Sequence, residues 1–447
     1  MQKSFLISNA QLVNEGVQFA SDVLIKNGRI DKIARQITCP DANTVVLDAA
    51  GKWLLPGMID DQVHFREPGL TSKGDIHSES RAAVAGGITS FMEMPNTDPL
   101  TVTSERLEEK FTIAENSSLA NYSFYLGATN DNLEEICKLD PNSACGIKIF
   151  MGASTGNMLV DKLQSLHDIF ANAPCIVATH CEDNPTIARN LEQATARWGR
   201  DIPLQQHPLI RSREACIKST ALATSLARKY GTQLHILHIS TLEEANGFSD
   251  LPMAEKNITA EACVHFLHFD ESDYPRLGNL IKCNPALKTS ADRQAIIAAL
   301  RDGRIDVIAT DHAPHTLAEK QDGDYFTAPA GLSLVQWAMP AALELIPNEG
   351  FSIEQIVNLT SHKVAQRFAV KERGYIREDY WADLILVDSG NFPQIERDQV
   401  LSRCGWSPFE GKSFMHRIAS TIVNGNIVWD GQQIIEHHGG QRLQFNR

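Results

Sequence analysis

The stretch LLPGMIDDQVHF (54–65) is apolar through its first half and ends on a histidine, His64. Such a run reads as a strand buried on both faces, with polar side chains gathered at its C-terminal end. Seven more runs of this kind follow: GITSFMEMPN (87–96), NYSFYLGAT (121–129), CGIKIFMGAS (145–154), CIVATHCED (175–183), QLHILHIST (233–241), ITAEACVHFLHF (258–269) and IDVIATDHAPH (305–315). Helical patterns lie between several of them. DKLQSLHDIF places Leu163, Leu166 and Phe170 on one face, and TSADRQAIIAALRDG opens on a capping pair, Thr289 and Asp292, and stops at Gly303. Eightfold alternation of strand and helix predicts an α/β chain folded as a (β/α)8 TIM-like barrel. A doubly wound open sheet is the alternative, but it does not explain the polar strand ends.

The two ends of the chain have a different character. Residues 1–55 read as short strands and turns, with Asn-Gly in KNGRI as a hairpin signal, and residues 371–447 repeat that character in ADLILVD and ASTIVNGNIVWDG. The predicted organisation is therefore a small β-sandwich domain built from 1–55 and 371–447, with the barrel, 56–370, inserted between its parts.

The bulk composition narrows the function. At 447 residues, with 43% hydrophobic and 21% charged residues, the chain has ample material for a core. A net charge of −14 disfavours nucleic acid as a partner. No run is long enough to span a bilayer, the N-terminus lacks a signal-type apolar stretch, and the nine cysteines form no C-x-x-C pair. These features lead to the expectation of a cytoplasmic protein with reduced thiols.

A barrel turns the C-terminal ends of its strands toward one rim. Those ends carry His64 and Arg66, Asn96, His180, His238, and Asp311 with His312 and His315, while Lys148 lies within the fourth run. Each alone has an ordinary structural explanation: a lone histidine is more often a packed, hydrogen-bonded residue than a ligand. Together they form a set of imidazole and carboxylate donors suited to zinc. A neutral lysine amine that takes up CO2 becomes an anionic carbamate able to bridge two metals. Asp311 is placed to act as acid and base.

The motifs VHFREPG (63–69), MPNT (94–97), GIKIF (146–150), ATHCED (178–183), LHIST (237–241), CNPALK (283–288) and ATDHAPH (309–315), in this order, resemble the amidohydrolase superfamily and within it the class I dihydroorotases. The resemblance implies interconversion of N-carbamoyl-L-aspartate and (S)-dihydroorotate in pyrimidine biosynthesis, with one or two zinc ions per chain. It implies His64, Lys148, His180, His238 and Asp311 as metal ligands, Lys148 carboxylated, and Asp311 as the catalytic acid/base. It assigns Arg66, Asn96 and His315 to the substrate carboxylate, Asn284 to the ring, and the segment around Thr327 and Ala328 to backbone contacts. Hydantoinases and allantoinases share the metal chemistry but act on rings without this carboxylate, whereas the guanidinium of Arg66 suits one.

One position departs from the pattern: Gln62 stands where the family carries the first histidine of H-x-H. A glutamine carbonyl is a weak, neutral zinc ligand. This leaves a second reading open, a non-catalytic homologue that serves as scaffold for a partner such as aspartate transcarbamoylase. The resemblance also suggests a homodimer.

Overall fold

The computed structural model describes residues 4–40, 44–152, 158–437 and 439–447. The chain opens with β1 (Phe5–Asn14), β2 (Val17–Lys26), β3 (Arg29–Ala34), β4 (Val45–Asp48) and β5 (Trp53–Pro56). The inserted barrel supplies β6 (Met58–Val63), β7 (Ile88–Glu93), β8 (Asn121–Gly127), β9 (Gly146–Phe150), β10 (Val177–His180), β11 (Leu234–Ile236), β12 (Ile258–Cys263) and β13 (Val307–Ala309). The chain then returns to the first sheet with β14 (Leu384–Ser389), β15 (His416–Val423) and β16 (Asn426–Trp429).

Strands β6 to β13 form one sheet in sequential order with parallel neighbours. It is nearly closed: His312, just past β13, bridges Val63, and the His64 amide donates to the His312 carbonyl at 2.7 Å. Every residue of β7, β8 and β9 is buried, as strands covered on both faces require. The eight apolar runs thus fall on the eight barrel strands, apart from the tail of the fourth from Ala153, which lies outside the described residues.

Two local readings need correction. The seventh run stops being a strand at Cys263, and Val264–His268 is a helical turn with Val264, His265, Phe266 and Leu267 all buried. A fully buried apolar run has no polar alternation to separate strand from helix. In the helix Leu163–Asn172 the inward residues are Leu166, Ile169 and Phe170, whereas Leu163, at the first helical position, is exposed. The capping reading of Ser290–Asp302 matches: Thr289 and Asp292 form a capping box and Gly303 ends the helix in the left-handed region.

The end sheet runs β16-β15-β14-β5-β1-β2-β3, with β4 beside β1, so both chain ends build it. Its β14–β15 and β15–β16 pairs are antiparallel, as are β1–β2 and β2–β3. The Asn-Gly turns have positive φ at both residues, 52° and 79° at Asn27-Gly28 and 48° and 75° at Asn424-Gly425, as type I′ hairpins demand. These turns also meet: a Cβ on Gly28 would lie 2.8 Å from the Asn424 carbonyl. Among the described residues no helix is long and apolar enough to cross a membrane.

Candidate active site

At the C-terminal rim of the barrel, Gln62, His64, Arg66, Asn96, Lys148, His180, His238, Asn284 and Asp311 line one cavity, together with Phe150, Ala313, Ala330 and Gly331. It has about 380 Å³ of space including its mouth, room for a small ring rather than a polymer. Nine residues singled out in the sequence are therefore brought to one place.

The donor atoms form two groups. His64 Nε2 lies 3.2 Å from Asp311 Oδ1, and His180 Nδ1 lies 3.1 Å from His238 Nε2. Burial lowers the pKa of His64, His180 and His238, so the imidazoles are held neutral, the form that ligates metal. Two imidazole nitrogens on one tetrahedral zinc stand about 3.3 Å apart, from Zn–N bonds near 2.0–2.1 Å. The His180–His238 pair already has nearly this separation, so the donor set fits a divalent cation. Burial pushes the Lys148 amine down to about 8, and its Nζ sits 4.6 Å from the Phe150 ring centre.

A second layer orients these groups. Asn96 Oδ1 is 2.8 Å from His64 Nδ1, which directs His64 Nε2 toward Asp311. His180 Nε2 is 3.0 Å from Glu182 Oε2. Burial opposes ionisation of Glu182, but the Arg211 charge and the His180 hydrogen bond outweigh it and hold the carboxyl at about 2. Glu261 Oε1 accepts the backbone N–H of His238 at 2.9 Å. Three cavity residues, Arg66, His238 and Asp311, have positive φ of 72°, 39° and 51°, an uncommon conformation for side-chain-bearing residues that functional sites concentrate.

The Gln62 amide turns its nitrogen toward Asp311. Its Nε2 donates to Asp311 Oδ1 at 3.1 Å, and its oxygen faces the Cys263 thiol 3.8 Å away. The amide thus takes the role of a hydrogen-bond donor to the carboxylate.

Arg66 is 2% exposed, and burial brings its pKa down to about 10. Its Nε donates to the Pro314 carbonyl, and among the described residues no carboxylate lies within salt-bridge distance of it. His315 stands behind it rather than in the cavity lining. The ammonium of Lys73 is 3.0 Å from His315 Nδ1, so Nδ1 accepts and the Nε2–H donates to the Ala330 carbonyl at 3.1 Å. Arg66 Nη2 also lies 3.1 Å from His315 Nε2, and among the described residues the terminal nitrogens of Arg66 meet no oxygen acceptor. Asn284 Oδ1 is likewise buried and, among the described residues, has no hydrogen-bond partner.

Ala328 is displaced from the expectation. It is buried, its carbonyl accepts from Lys282 Nζ, and the wall is formed two residues further on by Ala330 and Gly331. The Pro-Gly character of TAPAG marked a turn there but not which residue faces inward. Phe150, two residues after Lys148, and Ala313, two after Asp311, also line the cavity without having been singled out in the sequence, and Glu182, two after His180 in ATHCED, orients that histidine from outside the lining.

Beneath the rim lies a second buried group. Asp61, His235 and Glu261 are fully buried, and their polar atoms lie within 4.8 Å of one another. His235 Nε2 is 3.0 Å from Asp61 Oδ2 and 3.9 Å from Glu261 Oε2. Burial opposes protonation of His235, but the two carboxylates prevail and raise it to about 9, so the imidazole carries the compensating positive charge.

Comparison with known proteins finds the chain similar to cyclic amidohydrolases. Residues 51–244 match the family described as "Dihydro-orotase-like" and residues 217–428 the one described as "Amidohydrolase family". A dihydroorotase of Halobacterium salinarum is 33% identical over 423 residues, covering 94% of this chain and 95% of that protein. An allantoinase of Solibacter usitatus is 32% identical over 449 residues, covering 98% and 96%. The structure of an L-hydantoinase (dihydropyrimidinase) from Arthrobacter aurescens superposes with a TM-score of 0.93 at 25% identity, covering 99% of this chain and 100% of that one.

Proposed function

Since the chain belongs to the amidohydrolase family, among its dihydroorotase-like cyclic amidohydrolases, we propose that it interconverts N-carbamoyl-L-aspartate and (S)-dihydroorotate. The observation that carries this choice of ring is Arg66. A guanidinium buried without a carboxylate partner is costly, by several kcal/mol after relaxation. A substrate carboxylate offers that partner, and the forked guanidinium can grip it through two parallel hydrogen bonds.

The residues of the chain divide the work. Arg66 binds the carboxylate, with His315 behind it held neutral by burial and by the Arg66 and Lys73 charges. Asn284 offers its unpartnered oxygen to a ring N–H. His64, Lys148, His180, His238 and Asp311 would hold zinc, Lys148 as its carbamate, and zinc bound there would supply the Lewis acidity that polarises the scissile carbonyl and activates water. The Lys148 amine, brought down to about 8, has a neutral fraction near pH 7 from which a carbamate can form. In ring opening, Asp311 accepts a proton from the attacking water on its carboxylate oxygen and returns it to the departing amide nitrogen. Ring closure reverses both transfers.

The test is turnover by the zinc-supplied full-length protein on dihydroorotate, dihydrouracil, hydantoin and allantoin. The expected result is a preference for dihydroorotate over dihydrouracil, which lacks only the carboxylate, of about 100-fold or more. Equal rates on these two, or faster turnover of allantoin, would assign the protein to another ring.

The Gln62 arrangement predicts an asymmetry in metal retention. The His180 and His238 side has two imidazoles, whereas the His64 side has one plus a shared carboxylate already engaged by an amide. Gln62→His is expected to raise the zinc retained per chain after mild chelator dialysis. Equal retention of two zinc ions in both proteins would show that glutamine does not loosen the site.

A further inference from the structure

Lys320 is fully buried and, among the described residues, has no carboxylate within 4 Å. Its Nζ donates to three backbone carbonyls, Lys282 at 3.1 Å, Pro329 at 2.9 Å and Gly331 at 3.0 Å. An ammonium has three protons, and each has one acceptor here. The acceptors belong to two segments that frame the cavity: Lys282 precedes Asn284 by two residues, and Pro329 and Gly331 flank Ala330. Lys282 reinforces the tie. Its carbonyl also accepts the Gly331 amide at 2.9 Å, and its own Nζ donates to the carbonyls of Tyr325 at 2.6 Å and Ala328 at 2.7 Å. The wall has little slack, since a Cβ on Gly331 would lie 2.4 Å from the Ala313 carbonyl, and its φ of 146° is a glycine conformation. The Ala330 carbonyl is in turn the acceptor that fixes His315 behind Arg66.

We propose that Lys320 is a positioning residue for substrate: its ammonium clamps the 282–284 and 329–331 segments together and so sets the distance between Asn284 and the Arg66 side of the cavity. Burial brings the Lys320 amine down to about 7, and in its protonated form it makes all three hydrogen bonds at once. Charge-assisted hydrogen bonds are stronger than neutral ones, and no carboxylate competes with the carbonyls for its protons. The helix that carries it, Leu317–Gln321, is anchored by a capping box between Thr316 and Glu319, so the amine reaches the wall from a fixed base. The kinetic part of this inference rests on the ring-amide reading of the cavity; the mechanical part does not.

The experiment compares the full-length wild type with Lys320→Met, which keeps the apolar stem and removes the donors, and with Lys320→Gln, which keeps a shorter donor. Hydrogen exchange is followed by mass spectrometry for peptides spanning 278–286 and 323–334. In Lys320→Met both peptides are expected to exchange about 10-fold faster or more, with β9 and β10 peptides unchanged, because opening is local. Lys320→Gln is expected to fall between, and serves if the methionine variant does not fold. On dihydroorotate, KM is expected to rise about 10-fold or more while kcat stays within about threefold, since misplaced contacts weaken binding before they alter proton transfer. Unchanged exchange in both peptides overturns the clamp, as does faster exchange spread evenly over the barrel with an unchanged KM, which would mark a merely structural lysine. If the wild type does not turn over dihydroorotate yet the two peptides respond selectively, the clamp stands and the assigned substrate falls.

Discussion

Asp311→Asn lowers kcat by about 10²- to 10⁴-fold, the share that positioned acid–base groups supply. The substitution is clean for a structural reason. Asp311 has a φ of 51°, and asparagine adopts the left-handed region as readily as aspartate does. The backbone after β13 is therefore retained, and the melting temperature should stay close to wild type. What is lost is the carboxylate that faces His64 at 3.2 Å and accepts from Gln62 at 3.1 Å. An amide in its place can neither take a proton from water nor hand one to the leaving nitrogen. Because the carboxylate is also a proposed zinc ligand, the assay is run at saturating zinc with metal content measured on the same samples. Near-wild-type kcat in a metal-loaded Asp311→Asn protein would remove Asp311 from the proton pathway.

Arg66→Lys is expected to lower kcat/KM for dihydroorotate about 100-fold, with most of the change in KM. Disturbing a desolvated charge pair costs about 2–5 kcal/mol, and 1.4 kcal/mol is tenfold. Lysine keeps the charge but presents it at a point, so the two parallel hydrogen bonds to a carboxylate are not reproduced. The shorter donor set also abandons the Pro314 carbonyl, to which Arg66 Nε now donates at 3.0 Å. Dihydrouracil provides the internal control: its slow turnover should be nearly the same in both proteins, because there is no carboxylate to lose. A parallel fall on both substrates would mean that Arg66 supports the cavity as a whole and does not read the carboxylate.

Much of this site was legible because its signals are local. Each strand end carries its chemistry within a few residues of an apolar run: His64 after LLPGMIDD, His180 after CIVAT, His238 after QLHIL, Asp311 after IDVIAT. The barrel then converts position along a strand into position on the rim. The same locality made the Asn-Gly turns and the Thr289 cap readable. It failed where a run was buried on all sides, as at Val264–His268, since burial erases the alternation that separates strand from helix.

The sequence by itself determined the eight strands, the joining of both chain ends into one sheet, and the residue types gathered at the rim, because hydrophobic period, turn chemistry and strand polarity are properties of short segments. Tertiary structure alone decided how those side chains are used. Gln62 and Asp311 are 249 residues apart, and only barrel closure reveals that the glutamine donates to the carboxylate. The same holds for Arg66, whose lack of a carboxylate partner among the described residues depends on every element around it, and for His315, which sits behind the guanidinium across a separation of 249 residues. Ala330 and Gly331 form the wall in place of Ala328, with the Ala328 carbonyl held by Lys282 and the Gly331 carbonyl by Lys320. Hydrogen-bond partners of buried polar groups are chosen by geometry at ångström scale, and that geometry exists only once strands distant in sequence have closed around a common axis.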